Sequence, residues 1–425
     1  MNYQKMYDEY WRRPDRFGSH SFEDADPLLQ GIRKLEPEKK ILDIGCGMGY
    51  LVDSLASHGH DAHGLDVSSV AIEHCQQNCK GSYKRGSLLS IPYPDKSFDT
   101  VISTDCLEHI AEQDISKAIS EISRVTKRQA YMRIATRIDR DKKWHLVVKK
   151  RRWWENRFLS AGFRKHPVNQ EITTFEELNN ERIDFIAALQ KIPDKALSEY
   201  PLFIANQNRE VRADMLRESN RRSDAHIARY QLARSLCQSK GRVIDIGCGL
   251  GYGSAILAQY RANLDVCGID HDLGAINYAN SNYSSDRLKF IRLDAHNVCT
   301  KVRSSSVDLV VLFETLHQLE NPEKIIISIK KTLKQGGLFL CSVPNLWLDE
   351  SGQDPNPRHL RAFSFESLEN LIDPHLEIVE RYSQIAGNGN RFPDMPRTLR
   401  KISKHTDHID EPAEWCLLLA RKGKP

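Results

Sequence analysis

One stretch occurs twice in this chain: ILDIGCGMGY at residues 41–50 and VIDIGCGLGY at residues 243–252. The aspartates of the two copies, Asp43 and Asp245, lie 202 residues apart, the length of a whole domain. A β-branched run that ends in alternating glycines and reopens on helix formers reads as strand, tight turn and helix start. Glycine belongs where the backbone takes positive φ or where another group must come close. The following helix then points its first N–H groups at whatever sits in the turn. The chain is therefore expected to contain the same strand–turn–helix unit twice, each in its own domain.

The surrounding pattern agrees. Apolar strand-length runs fall at 40–44, 62–65, 99–103 and 130–134, and again at 242–246, 265–269, 288–293, 308–312 and 337–342. Amphipathic stretches separate them, as at Ala118, Ile119, Ile122 and Val125. This alternation predicts an α/β fold: two domains, each a mostly parallel sheet with helices on both faces. LEIVERYSQIAG and EWCLLLARK close the second half as two further strands, which suggests an antiparallel edge. Residues 173–190 open with capping-box spacing (Thr173 to Glu176, Thr174 to Glu177) and predict a helix, broken by Pro193 and Pro201. A second helix is expected over Asp224–Gln238. The domains are placed at 1–170 and 223–425, with a helical connector over 171–222.

The apolar runs are far too short for a membrane span, and the start MNYQKMYDEYWRR has no apolar leader core. A cytoplasmic protein is expected. The ten cysteines include Cys75 and Cys79, four apart, but no second pair completes a zinc set, so free thiols and no metal are expected. The net charge is only +4, yet residues 127–157 hold twelve Lys or Arg against three acids. Such a run is either a solvated basic face or a surface that attracts an anionic acceptor, a nucleic acid or a membrane.

Gly45, Gly47 and Gly49 give G-x-G-x-G, and Tyr50 occupies the third glycine position of dinucleotide-binding turns; Gly247, Gly249 and Gly251 repeat this with Tyr252. A carboxylate two residues before the first glycine would repel a pyrophosphate but suits a cationic ammonium or sulfonium. The spacing disfavours NAD. After the second strand of each half come Asp66 (GLDVS) and Asp270 (GIDHD), placed to accept bonds from ribose hydroxyls. FIRLDA offers Asp294 to an exocyclic amine. SFDTVISTDCLEHI and SVDLVVLFETLHQL each supply a fourth strand ending in an acid, Asp105 and Glu314.

On these residues each half resembles a class I S-adenosylmethionine-dependent methyltransferase, over about 35–165 and 223–425. The resemblance implies S-adenosyl-L-methionine as cofactor, held by the glycine turns and the acids above. Two departures stand out. Ser87 occupies the place of the aspartate often found after the third strand, and the LEH of the first half becomes LHQ in the second, with His317 opposite Glu108 and Gln318 opposite His109. The Asn/Asp-Pro-Pro-aromatic motif for base amines is missing, which argues against base N-methylation. A hydroxyl acceptor needs a base, most often histidine. His145 and His359 lie after the fifth strand of each half, where such folds put their substrates, and His359 opens an H-x-R-x-F-S-x-E-x-L pattern resembling small-molecule O-methyltransferases. Tyr10 in MYDEYW, and His226 and Tyr230 in RRSDAHIARY, are candidate cofactor contacts, although aromatics at helical spacing are more often core. These last segments resemble methyltransferases of bacterial glycan and lipopolysaccharide gene clusters. The expected function is thus methyl transfer to a hydroxyl of a glycan or other anionic small molecule. The rivals are an RNA ribose methyltransferase, with the basic tryptophan-containing stretch binding nucleic acid, and a chain in which one half no longer catalyses.

Overall fold

The computed structural model describes residues 2–13, 27–138, 144–173, 184–201, 214–218, 221–238, 240–259, 263–349, 351–385, 402–405 and 413–423. The chain divides into two compact units, Met1–Ile192 and Pro193–Pro425.

In the first unit the strands are β1 (Lys40–Ile44), β2 (Asp61–Asp66), β3 (Ser82–Arg85), β4 (Phe98–Thr104), β5 (Thr126–Ile134), β6 (Phe163–Lys165) and β7 (Phe185–Lys191). They form one sheet in the order β3-β2-β1-β4-β5-β7-β6. The first five are parallel; β7 and β6 run antiparallel at the edge. Ile41, Leu42 and Ile44 of β1 are buried, as a central parallel strand covered on both faces requires. The helix Glu112–Val125 packs Ile115, Ile119 and Ile122 into the core beside Phe98, Val101 and Met132. The strand order reverses between β1 and β4, and in such sheets the crevice at the carboxyl ends beside this point is where ligands bind.

One expectation fails here. Residues 185–190, read as the end of a helix, belong to strand β7, paired with β5 from Gln129↔Gln190 to Ile134↔Phe185. β5 is buried, so its backbone groups need a partner strand, and Phe185, Ala187 and Leu189 alternate into the core beside it. Pairing and burial outweigh local helix propensity. This strand belongs to the first unit, inside the range assigned from sequence to a connector. The capping-box glutamates Glu176 and Glu177 lie outside the described residues.

The second unit repeats the plan with β8 (Lys240–Ile246), β9 (Asn263–Asp270), β10 (Leu288–Arg292), β11 (Val307–Phe313), β12 (Leu333–Pro344), β13 (Glu377–Gln384), β14 (Ile402–Lys404) and β15 (Trp415–Arg421). Its order is β10-β9-β8-β11-β12-β15-β13-β14, parallel through β12 and antiparallel beyond, as the two closing strands suggested. The helix Arg221–Ser235 precedes β8 as the helix Pro27–Lys34 precedes β1. It lays Tyr230 over Gly253 so closely that a Cβ there would come within 1.9 Å of the ring.

The same helix buries Arg229, which pairs with Glu314 at 3.1 Å and donates to Gln384 Oε1 at 2.7 Å. Glu314 also accepts from Ser342 Oγ (2.9 Å) and Trp415 Nε1 (3.0 Å). Removing one partner of such a pair leaves a charge uncompensated. Arg229→Met should therefore lower stability by about 3 kcal/mol in denaturant unfolding, and adding Glu314→Gln should recover part of the loss. An unchanged unfolding midpoint in the single variant would show that the pair contributes nothing.

Candidate active site

The two glycine turns are built alike. Gly45, Gly47 and Gly49 have φ of +75°, +50° and +79°, and Gly247, Gly249 and Gly251 have +73°, +52° and +83°, angles that side chains rarely tolerate. The N–H groups of Gly45 and Cys46 both donate to Leu65 O (2.8 and 3.1 Å), and those of Gly247 and Cys248 to Ile269 O (2.7 and 3.0 Å). The acid ending the second strand braces the middle glycine. Asp66 accepts from the N–H of Gly47 (3.0 Å) and of Ser68 (2.8 Å), and Asp270 from the N–H of Gly249 (2.9 Å) and of Asp272 (2.9 Å). Each carboxylate oxygen keeps a second lone pair for another donor.

In the first unit these residues wall a cavity of about 550 Å³. Asp43, Gly45, Gly47, Asp66, Ser87, Asp105, Tyr10 and His145, all singled out from sequence, meet there. Gly49 does not: it caps the helix Tyr50–Ser57 and faces Cys75 and Tyr83. Asp43 is the telling group. Its Oδ1 is buried without a hydrogen-bond partner among the described residues, and burial, then the nearby Asp66, pushes its carboxyl up to about 7. Aromatic rings face the same space. Tyr10 lies 5.0 Å from Trp11 and 5.1 Å from Trp144, and Trp11 covers Gly47, where a Cβ would meet its ring at 2.8 Å. An uncompensated carboxylate beside electron-rich ring faces suits a cationic ligand. Ser87 Oγ accepts the Leu89 N–H at 3.1 Å, and Asp105, at φ +50°, has Arg133 3.7 Å away.

The second unit departs in detail. Ser254, where the first unit has Val52, donates to Asp245 Oδ2 at 2.6 Å, while Oδ1 is buried without a hydrogen-bond partner among the described residues. Burial again pushes this carboxyl up to about 7, against the Ser254 bond. Tyr230 lies in the core, against Tyr252 and Phe313. His226 is half-buried on the same helix. Asp294 caps the turn Ala295–Asn297 and pairs with His296 at 2.8 Å. Glu314, the counterpart of Asp105, is taken up by Arg229. No heavy atom of the described residues lies within 4 Å of a Cβ built on Gly249, in contrast to Gly47.

The two histidine loops take the same place. Leu146 and Val147 donate their N–H groups to Glu108 O (2.8 and 3.0 Å), and Leu360 donates to His317 O (2.9 Å). Each loop is thus tied to the short helix after the fourth parallel strand, Leu107–His109 or Leu316–Gln318. His145 Nδ1 lies 2.7 Å from Arg137 O, and its ring is 5.1 Å from that of His109. His359 Nδ1 pairs with Asp354 Oδ2 at 2.7 Å, Asn356 Nδ2 is 2.9 Å from its Nε2, and its ring lies 4.1 Å from that of His317. Glu108 is fully buried. Its Oε1 accepts the Ala135 N–H at 2.9 Å, and its Oε2 has no hydrogen-bond partner among the described residues. Burial pushes Glu108 up to about 8 and holds His317 down to about 4.

Much of the basic run is neutralised. Lys127 pairs with Asp99, Arg128 with Glu38, Arg133 with Asp184, Lys149 with Glu112 and Arg151 with Glu155. Trp154 is buried in the core, and Trp153 is covered by the Arg157 guanidinium 3.2 Å from its ring centre. Residues 139–143 of this run lie outside the described residues.

Two anchoring aspartates escaped the sequence reading. Asp8 accepts from Ser68 Oγ (2.7 Å), Ser69 Oγ (3.2 Å) and the Val70 N–H (3.3 Å), fixing the helix Tyr3–Trp11 to the start of the helix Ser69–Asn78. Asp214 accepts from Tyr278 (2.7 Å) and Tyr283 (2.6 Å) on the corresponding helix of the second unit. A carboxylate amid surface polar residues has no sequence signature; S-S-V after a strand is the only hint. Burial works against ionised Asp8, but its bonds from Ser68, Val70 and Ser69 hold it below the usual carboxylate range. A depressed carboxyl stabilises above its unfolded pKa and loses that contribution as pH falls through its folded value. Asp8→Ala at neutral pH should free the aromatic helix, at about 1.5–3 kcal/mol, read as faster proteolysis before residue 27 and a red shift of Trp11 emission. Acidification should reproduce the effect in the unsubstituted chain below the carboxylate range.

Residues 42–134 match one family of methyltransferase domains and residues 238–370 match a second. A probable S-adenosylmethionine-dependent methyltransferase of Mycolicibacterium smegmatis is 28% identical over 160 residues, 37% of this chain and 60% of that protein. Ajmaline N-methyltransferase of Rauvolfia serpentina is 34% identical over 117 residues, 25% of this chain and 40% of that enzyme. Phosphoethanolamine N-methyltransferase 2 of Caenorhabditis elegans is 34% identical over 107 residues, 24% of each chain. The chain therefore spans less than two thirds of the relatives it matches. With a methyltransferase domain matched in each half and the glycine turn built alike in both, the chain belongs to the class I S-adenosylmethionine-dependent methyltransferases, as a tandem of two such domains.

Proposed function

We propose that this chain transfers methyl groups from S-adenosylmethionine to hydroxyls of a glycan or another anionic small molecule. The observation that carries the reading is the partnerless Asp43 oxygen in an aromatic-walled cavity beside the glycine turn. When bound, the cofactor supplies an electrophilic methyl on a sulfonium. Asp43 then faces its cationic end, Asp66 takes the ribose, and Tyr10, Trp11 and Trp144 exclude water. Transfer is an in-line displacement, so holding the acceptor oxygen in line and dry accounts for much of the rate. In the second unit Asp354 holds His359 Nδ1, which leaves Nε2 to take the acceptor proton once Asn356 yields it. His145 holds the same place in the first unit. The burial of Trp154 and the pairing of the basic run favour a small acceptor over RNA. The names of two relatives favour a second reading, transfer to an amine. A methyl-transfer screen against nucleotide sugars, glycan precursors and amines, read by mass, separates the two: products only on amines would overturn the hydroxyl assignment.

Cofactor titration of the full chain should give two sites. Asp66→Ala and Asp270→Ala should each remove one, since each loses a charged acceptor worth about 1.5–3 kcal/mol together with the brace on its glycine turn. One site in the unsubstituted chain would mean that one half no longer binds. A carboxyl raised by burial stabilises the free protein below its unfolded pKa, and this contribution is lost as pH rises through the folded value. A cationic ligand needs Asp43 ionised, so affinity should rise with pH until about 7 and then level off. Asp43→Asn should bind more weakly and flatten the profile. An equally steep profile in that variant would remove Asp43 from the cationic end.

His359→Ala should lower turnover roughly 10²–10⁴-fold while cofactor binding persists. A change below about threefold at saturating acceptor would leave proximity and desolvation as the whole mechanism.

A further inference from the structure

Among the described residues, the first unit contains a cluster of metal-ligand side chains for which the second shows no counterpart. One ligand atom each from Glu108, His109 and His145 lie within 4.8 Å of one another, and His109 and His145 line the cavity beside the glycine turn, with Glu108 buried behind them. Glu108 is fully buried, one oxygen is occupied by the Ala135 N–H, and Oε2 has no partner among the described residues. A buried carboxylate oxygen without a donor costs free energy unless something cationic completes it. The loop supplying His145 is bonded to the Glu108 carbonyl, so the three groups are held by one short helix and the segment tied across it. In the second unit the equivalent positions carry His317 and Gln318, and His359 is held instead by Asp354. That arrangement offers no carboxylate in the place of Glu108.

We infer that Glu108, His109 and His145 form a binding site for one divalent first-row transition metal ion in the first unit. Two imidazoles and one carboxylate suit Mn(II), Co(II) or Zn(II) better than the oxygen-seeking Mg(II) or Ca(II). Three protein ligands leave coordination positions open toward the cavity, as in metal sites that act on substrates. The sequence reading, which weighed only cysteine spacing, put no metal here, because the third ligand comes from a loop 36 residues beyond the second.

A role for the ion follows, resting on the hydroxyl reading above. Transfer to a neutral hydroxyl forms one C–O bond as one C–S bond breaks, and releases one proton. An ion holding that oxygen lowers its pKa, so the proton passes to solvent and the freed thioether leaves uncharged. His145 is then a metal ligand rather than the base, and the two units activate their acceptors differently.

Metal binding can be tested without acceptor or cofactor. The full chain, stripped with a chelator, is titrated with Co(II) at neutral pH, followed by visible d–d absorption and by metal analysis after dialysis. One ion per chain should bind in the unsubstituted protein and in His359→Ala. Glu108→Gln, which keeps an oxygen for the Ala135 N–H, and His145→Ala should each weaken it more than about 100-fold, beyond the range typical of losing an outer-sphere partner. Should Glu108→Gln fold poorly by circular dichroism, His145→Ala, on a half-buried loop residue, carries the test. Equal Co(II) uptake by the unsubstituted chain and His145→Ala, or no uptake by either, would overturn the site. Because the assay contains neither methyl donor nor acceptor, its failure leaves the methyltransferase reading intact.

Discussion

Everything at the active end of each unit depends on one interaction: the carboxylate ending the second strand accepts the N–H of the middle glycine of the turn. Asp66 binds Gly47 and Asp270 binds Gly249, at nearly the same distance. The turn holds three residues at positive φ, a conformation that few alternatives to glycine tolerate. Its N–H groups would be orphaned without the neighbouring strand, so Leu65 and Ile269 carbonyls take two and the aspartates a third. The same acid that is expected to meet the ribose is therefore also structural. Binding a ligand there costs little reorganisation, because the acceptor geometry is already set.

Around that shared turn the two units have diverged through their second contacts. The first unit leaves Asp43 facing an aromatic wall, with Val52 where the second unit has Ser254. The first keeps Asp105 partly exposed at the cavity, while the second ties Glu314 to a buried arginine, a serine and a tryptophan. Near the histidines the difference is sharper: a buried glutamate beside His145 against a buried histidine beside His359. A buried carboxylate and a buried, neutral imidazole offer different donor atoms, so the duplicated scaffold differs most where these two histidine loops meet it.

Much of this was legible in the sequence. Period and composition located eleven strands, the glycine spacing separated this turn from a dinucleotide one, and most of the first-unit site residues named from spacing do meet at one cavity. The failures share a cause. Phe185–Gln190 reads locally as helix and becomes part of a strand because β5 requires an edge partner. Tyr230, a candidate cofactor contact that the helical spacing also allowed to be core, packs in the core because the helix before β8 lies down onto Gly253. Asp8 and Asp214, not singled out from sequence, are anchors because hydroxyls from residues 60 or more positions away converge on them.

The sequence alone thus determined what short-range chemistry dictates: where strands and helices alternate, where only glycine fits, and which acids stand at strand ends. These follow from steric limits on φ and from hydrophobic periodicity, both of which act within a few residues. Tertiary structure decided which buried groups found partners. The unsatisfied oxygens of Asp43 and Glu108, the engaged carboxylate of Glu314 and the meeting of His145 with Glu108 and His109 depend on segments tens of residues apart. Desolvation and hydrogen-bond satisfaction are set by the whole packed neighbourhood, and no local pattern encodes that.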